Sequence, residues 1–110
     1  MLFLVELDYV RSGPPPGPED GIAFIERAIL PTIARAERLV AEGKIVAGGP
    51  VLGRVALRLM LEAGSLEEAD RLVSSLPLWA AAETRVTPLI AFEERRSHVQ
   101  ALRERLQGQS

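Results

Sequence analysis

Between Val55 and Glu62 apolar residues recur at every second position, with Val55, Leu57, Leu59 and Leu61 on one side and Ala56, Arg58, Met60 and Glu62 on the other. This is the pattern of a strand with one apolar and one mixed face. An arginine in mid-strand, flanked by apolar residues, must find a partner or reach water, so Arg58 is the first candidate for chemistry. Leu2 to Tyr9 repeats the pattern, with Phe3, Val5, Leu7 and Tyr9 opposed to Leu4, Glu6 and Asp8. The run Ser12 to Pro18, SGPPPGP, predicts a surface loop, because its prolines lack donors and its glycines lack rigidity. A short polyproline recognition segment is the alternative.

The period then changes. Ile22, Ile25, Ile29, Ile33, Ala36 and Val40 fall along one stripe of a helix that Asp20 would cap and Gly43 would end. Pro31, inside that pattern, predicts a kink or a split. Lys44 to Ala47 reads as a short strand, and Gly48-Gly49-Pro50 with Gly53 as a tight hairpin turn into the central strand. A phosphate-cradling loop is disfavoured, since no GxGxxG or GxxxxGK[ST] is present and a strand, not a helix, follows. Ser65 and Glu68 form the S-x-x-E signature of a second helix, with Leu66, Ala69, Leu72, Val73 and Leu76 as its apolar face and Pro77 as its stop. A last strand is predicted from about Glu83 to Phe92, in which Pro88 implies an edge or a bulge. From Glu93 to Gln107 a helix is predicted whose seam of Val99, Leu102 and Leu106 is too narrow to fold alone.

The order strand, helix, strand, strand, helix, strand predicts an α+β, ferredoxin-like βαββαβ antiparallel sheet with an extra C-terminal helix. Residues 1–92 form the domain, and 93–110 a terminal helix and tail that serve as an oligomer contact. Both helices cover one sheet face. The other face carries Leu4, Met60 and Leu89, so two chains are expected to close their open faces on each other as a homodimer or larger homo-oligomer.

Composition narrows the functions. The chain has 110 residues, a net charge of -2 and no cysteine. One ordinary globular domain fits that length. Without a basic stripe or interleaved aromatics, nucleic acid is not an expected partner. Disulfides and thiolate chemistry are excluded. The apolar start MLFLVEL has no basic flank and meets Glu6 and Asp8 at once, so no signal peptide or membrane span is expected and the cytoplasm is the expected location. His98 is the single histidine; alone among Arg95, Arg96 and Gln100 it makes no metal site, and no metal is expected.

Strand alternation places Glu6 and Asp8 on the same face as Arg58, Glu62 and Arg85. Glu6 and Arg58 are expected cross-strand neighbours. In a functional reading Arg58 or Arg85 receives a substrate carboxylate and Glu6 is the general base. In the structural reading the same set is salt bridges that fix register or an interface. Trp79, the single tryptophan, walls a pocket in the first reading and fills core or interface in the second.

Met1-Leu2-Phe3 with Val5, Glu42-Gly43, and Leu76-Pro77-Leu78 followed by an aromatic residue together resemble the muconolactone isomerase family over about residues 1–90. The resemblance implies a dimeric α+β barrel, assembled further into rings, that works without a cofactor in aromatic catabolism. It implies a proton shift that moves a lactone double bond, requiring acid/base groups and an anion site. Arg54 stands on the family's histidine position and Trp79 on an aromatic one. Leu4 and Glu6 stand where the family has histidine and lysine, and Lys44 to Pro50 replaces a run rich in Trp, Arg and His. The run EGKIVAGGPVLG also resembles the YCII-related proteins, although their histidine and aspartate dyad is absent from the first helix. The expected function is therefore an isomerase-like protein acting on, or binding, a small organic acid or lactone through Glu6, Arg54, Arg58, Arg85 and Trp79. The alternative is a non-catalytic dimeric ligand-binding or assembly domain.

Overall fold

The computed structural model describes residues 1–14 and 17–109; Pro15 and Pro16, within the predicted proline loop, lie outside them. The elements are β1 (Leu2–Tyr9), α1 (Pro18–Phe24), a π-helical turn (Ile25–Ile29), α2 (Leu30–Ala41), β2 (Ile45–Pro50), β3 (Ala56–Glu62), α3 (Leu66–Ser74), a 3-10 turn (Pro77–Ala81), β4 (Ala82–Leu89) and α4 (Phe92–Gly108). The four strands form an antiparallel sheet in the order β2-β3-β1-β4, as a ferredoxin-like α+β chain requires. Its inner face holds the core: Phe3, Val5 and Leu7 of β1 meet Leu57, Leu59 and Leu61 of β3, with Leu39, Ala69, Val73, Leu76 and Leu78 packed above. Pro88 is on an edge strand, where a missing donor is tolerated.

Local chemistry explains most element ends. Gly43 (φ +75) closes α2 in a Schellman motif, its N–H donating to the Val40 carbonyl at 3.0 Å while Lys44 N–H donates to the Leu39 carbonyl at 2.8 Å. Ser65 Oγ accepts from Glu68 N–H at 3.1 Å, but Glu68 returns the favour one residue earlier than a capping box does, accepting from Gly64 N–H at 2.7 Å.

Several expectations are corrected. Gly17 rather than Asp20 caps the first helix; Pro18, with its fixed φ and no N–H to lose, occupies the first turn and Asp20 falls within it. The split expected at Pro31 is present but lies just ahead of it, Pro31 itself falling in the first turn of α2. The π turn before it, in which Leu30 N–H donates to the Ile25 carbonyl, takes up the disruption. Most of the isoleucine stripe does not face the core: Ile22, Ile25, Ile33 and Val40 are exposed, Ile29 is half-buried, and of its members Ala36 packs inward, beside Phe24, Ala28, Thr32 and Leu39 from outside the stripe. Gly48-Gly49-Pro50 is strand, and the hairpin loop is 51–55, closed by Val51 N–H on the Ala56 carbonyl at 2.9 Å. Gly48 serves close approach, since a Cβ there would lie 2.1 Å from the Arg58 carbonyl oxygen. Leu66 is exposed, outside the apolar face of α3. Ile90 and Phe92 are not strand; β4 stops at Leu89 and Phe92 opens α4.

Helix α4 carries no buried residue. It stands off the body, giving a molecule 68 Å long and 32 by 24 Å across, and leaves the outer sheet face uncovered. Among the described residues, no helix is long and apolar enough to cross a membrane.

Candidate functional site

The outer face has two halves. Leu2, Leu4, Met60 and Leu89 lie at one end, where Leu2 pairs with Leu89 and Leu4 with Met60. At the other end Glu6 is flanked by Arg58 on β3 and Arg85 on β4, and Asp8 by Ala56 and Glu83. Glu62, which shares the face by alternation, is at the apolar end and pairs with the Met1 amino group at 2.8 Å.

The register is the expected one, but the short ion pair is not. Arg58 Nη2 donates to Asp8 Oδ1 at 3.2 Å, a diagonal contact across the β1–β3 ladder, and Nη1 donates to the Leu57 carbonyl at 2.9 Å. Its Nε lies 4.0 Å from Glu6 Oε2, beyond hydrogen-bonding distance. The mid-strand arginine thus meets its demand for acceptors chiefly through Asp8 and backbone. Asp8 Oδ1 also holds Arg54 Nη2 at 3.0 Å, reaching across from the β2–β3 loop. Asp8 is therefore the hub of the cluster, although strand alternation marked it only as a member of the face. Two guanidinium groups on one carboxylate oxygen leave that carboxylate electrostatically over-compensated.

Beside this cluster an open hollow of about 380 Å³ is lined by Glu6, Asp8, Glu83, Thr84 and Arg85. Arg85 is exposed and makes no ion pair with any described residue. Glu6 is about 28% exposed and is not hydrogen-bonded to a described residue. The hollow thus offers a guanidinium without an ion pair among the described residues, in register across the β1–β4 ladder with the Glu6 carboxylate, whose one ionic contact there is the long 4.0 Å approach of Arg58 Nε. Thr84 Oγ1 is buried and has no hydrogen-bond partner among the described residues.

The structure brings Glu6, Arg54, Arg58 and Arg85 together at one end of the face. It does not bring Trp79 to them: the indole sits in the 3-10 turn Pro77–Ala81, partly exposed, and lines none of the hollows formed by described residues near the charges. The turn is fixed to the helix layer, with Leu78 N–H donating to Thr32 Oγ1 at 2.9 Å. His98 is exposed on α4. Among the described residues no three His, Asp or Glu side chains converge to hold a metal ion.

No protein family matches the chain by sequence. No curated protein matches it either. By structure, the crystal structure of muconolactone isomerase is similar over 83% of this chain and 90% of its own, with a TM-score of 0.66 and 22% sequence identity. The chain has the fold of muconolactone isomerase, an antiparallel βαββαβ sheet covered by helices on one face, with α4 following its last strand.

Proposed function

We propose that the chain binds a small organic acid or lactone in the hollow between Glu6 and Arg85 and shifts a proton on it without a cofactor, as a muconolactone isomerase-like protein. The observation that carries this reading is Arg85, a guanidinium without an ion pair among the described residues, in register across one ladder with Glu6, which accepts no hydrogen bond from a described residue and meets Arg58 only at 4.0 Å. Arg54 is ion-paired with Asp8, and Arg58 with Asp8 and, at 4.0 Å, with Glu6, so Arg85 is the group with a free planar fork for a ligand carboxylate or lactone carbonyl.

Glu6 is the base. Its carboxylate removes a proton from the carbon next to the lactone carbonyl, and the electron pair moves onto the carbonyl oxygen as a conjugated enolate, which Arg85 stabilises. The protonated Glu6 then returns the proton at the far carbon of the conjugated system, so the double bond moves and the atoms balance. A second chain seated on Leu2, Leu4, Met60 and Leu89 roofs the hollow and excludes water.

One observation favours a second reading, a non-catalytic dimeric domain: Asp8, Arg54 and Arg58 are already satisfied by one another, as in a purely structural cluster. Calorimetry with butenolide acids and muconate-like acids, paired with NMR detection of deuterium entering the ligand from D2O, separates the two. Binding is expected to weaken roughly tenfold in Arg85→Ala, the low end for a charge-assisted hydrogen bond at an exposed site. Glu6→Gln is expected to bind and to lose exchange. If none of these compounds binds the wild-type chain, the non-catalytic reading stands.

A further inference from the structure

Two apolar stripes of this chain lack a partner, and their borders carry opposite charge. On α4, Phe92, Val99, Leu102 and Leu106 recur at a/d-like spacing and are all exposed, Phe92 by 94%. Arg96 and Arg103 border that stripe on one side, and His98 and Arg105 on the other, by helical periodicity. A lone helix of 17 residues without a buried side chain is marginal in water. On the first helix, Ile22, Ile25 and Ile33 form the exposed stripe, and Glu19, Glu26 and Glu37 run along its edge. A crevice of about 160 Å³ opens beside it, its wall mostly apolar (Ile29, Ile33, Val55 and Leu78) with Thr32 and Arg54 also on it, and has room for a side chain.

We propose that α4 of one chain docks on the α1–α2 isoleucine stripe of a second copy. Charge complementarity selects this occupant. Basic borders repel one another in a pairing of α4 with α4, whether parallel or antiparallel. Against the first helix, Arg96 and Arg103, seven residues apart, match Glu19 and Glu26, also seven apart, each interval being about 10 Å along a helix. In this structure α4 does not pack on the chain's own stripe. Helix α4 leaves the sheet after Leu89, beside Leu2, whereas α1 begins beyond the Tyr9 end of β1. This contact is separate from the pairing of open sheet faces and does not rest on it. Mutual exchange across a two-fold axis, or a ring, closes it at finite size.

The absence of cysteine allows a direct test on the full chain. A Leu102→Cys chain is mixed with an Ile25→Cys chain under mild oxidation, and the disulfide is mapped by mass spectrometry. Sedimentation velocity is run on Arg96→Glu/Arg103→Glu, on Glu19→Arg/Glu26→Arg, and on their mixture. The expected result is a crosslink between positions 102 and 25, association weakened at least roughly tenfold in each reversed chain alone, and recovery in the mixture. A crosslink of position 102 only to itself, or masses unchanged by charge reversal, overturns the proposal. Wild-type chain that stays at the same mass but binds vesicles of anionic phospholipid, and loses that binding in Arg96→Glu/Arg103→Glu, also overturns it and makes α4 a membrane-surface helix.

Discussion

Gly48 and Gly49 are adjacent on the edge strand β2, yet replacing them by alanine is expected to have very different consequences. At Gly48 the added Cβ would lie 2.1 Å from the Arg58 carbonyl oxygen and 2.8 Å from the Leu59 Cα, both backbone atoms of β3. To reach ordinary contact β2 must recede by roughly 1 Å. That lengthens one or two ladder hydrogen bonds past usefulness, at about 1 kcal/mol each. The backbone at φ +109 adds about 1–2 kcal/mol for a residue with a Cβ. Gly48→Ala should therefore cost on the order of 2–4 kcal/mol, a large share of a stability of about 5–15 kcal/mol. At Gly49 nothing lies within 4 Å of the added Cβ, and φ is not positive. Gly49→Ala should change stability by less than about 1 kcal/mol, helped by a less flexible unfolded chain. Urea unfolding followed by circular dichroism reads both, and with a slope of about 2 kcal/mol per molar the Gly48 midpoint should fall by roughly 1–2 M. Equal shifts for the two variants would refute the account of β2 held against β3 at Gly48.

Asp8→Asn should cost about 1 kcal/mol of stability, the range for partly exposed ion pairs. It should also tighten binding of an organic acid severalfold by releasing Arg54 and Arg58, as calorimetry would show; loss of binding would make Asp8 a ligand contact. The Glu68 carboxyl is held below its usual range, first by the Gly64 N–H and then by Lys44, whose Nζ donates at 2.9 Å. The stabilisation it supplies is therefore full above the ordinary glutamate range and is lost as pH falls through that range toward its lowered value. Thermal melts should accordingly separate wild type from Glu68→Gln near neutrality and bring them together in acid. Thr84→Val should be neutral or stabilising by about 1 kcal/mol in chemical unfolding, because the buried hydroxyl it removes has no hydrogen-bond partner among the described residues. Among ligands of similar size, a lactone with one carboxylate should bind roughly tenfold more tightly than a dicarboxylate, measured by calorimetry.

Strand alternation around Arg58 and Glu6 was enough to place both on one face and in direct register, because a period of two leaves little freedom once the apolar face is fixed. The pairing within that face was less legible. Sheet twist and the length of the guanidinium let Arg58 choose the diagonal Asp8, and Arg54 joins from a loop whose position depends on where the hairpin turns. That position was hidden because Gly48 looks like a turn residue in sequence and is in fact a place of close backbone approach. The isoleucine stripe misled in the opposite sense. Its periodicity is real, but periodicity says which residues share a face and nothing about whether this chain or another covers it. Helix α3 was easier, since Ser65, Glu68 and Pro77 act within a few residues of themselves.

The charges around the hollow decide what kind of ligand the proposed site accepts. Glu6, Asp8 and Glu83 are balanced by Arg54, Arg58 and Arg85, so the set is formally neutral before anything binds. The first negative charge of a ligand is met by Arg85, the one arginine of the three without an ion pair among the described residues. A second negative charge meets none, and at about 6 Å from Glu6 or Glu83 it is repelled by roughly 2–3 kcal/mol at an effective dielectric near 20, less where water reaches it. Screening by Arg54 and Arg58 cannot offset this while both remain on Asp8. In the proposed reading a monoanionic lactone sets its acidic carbon beside Glu6 and turns both its carbonyl oxygen and its single carboxylate toward the Arg85 guanidinium. The same neutrality weakens nonspecific attraction of polyanions, so selectivity at this face follows from which of three arginines Asp8 leaves free.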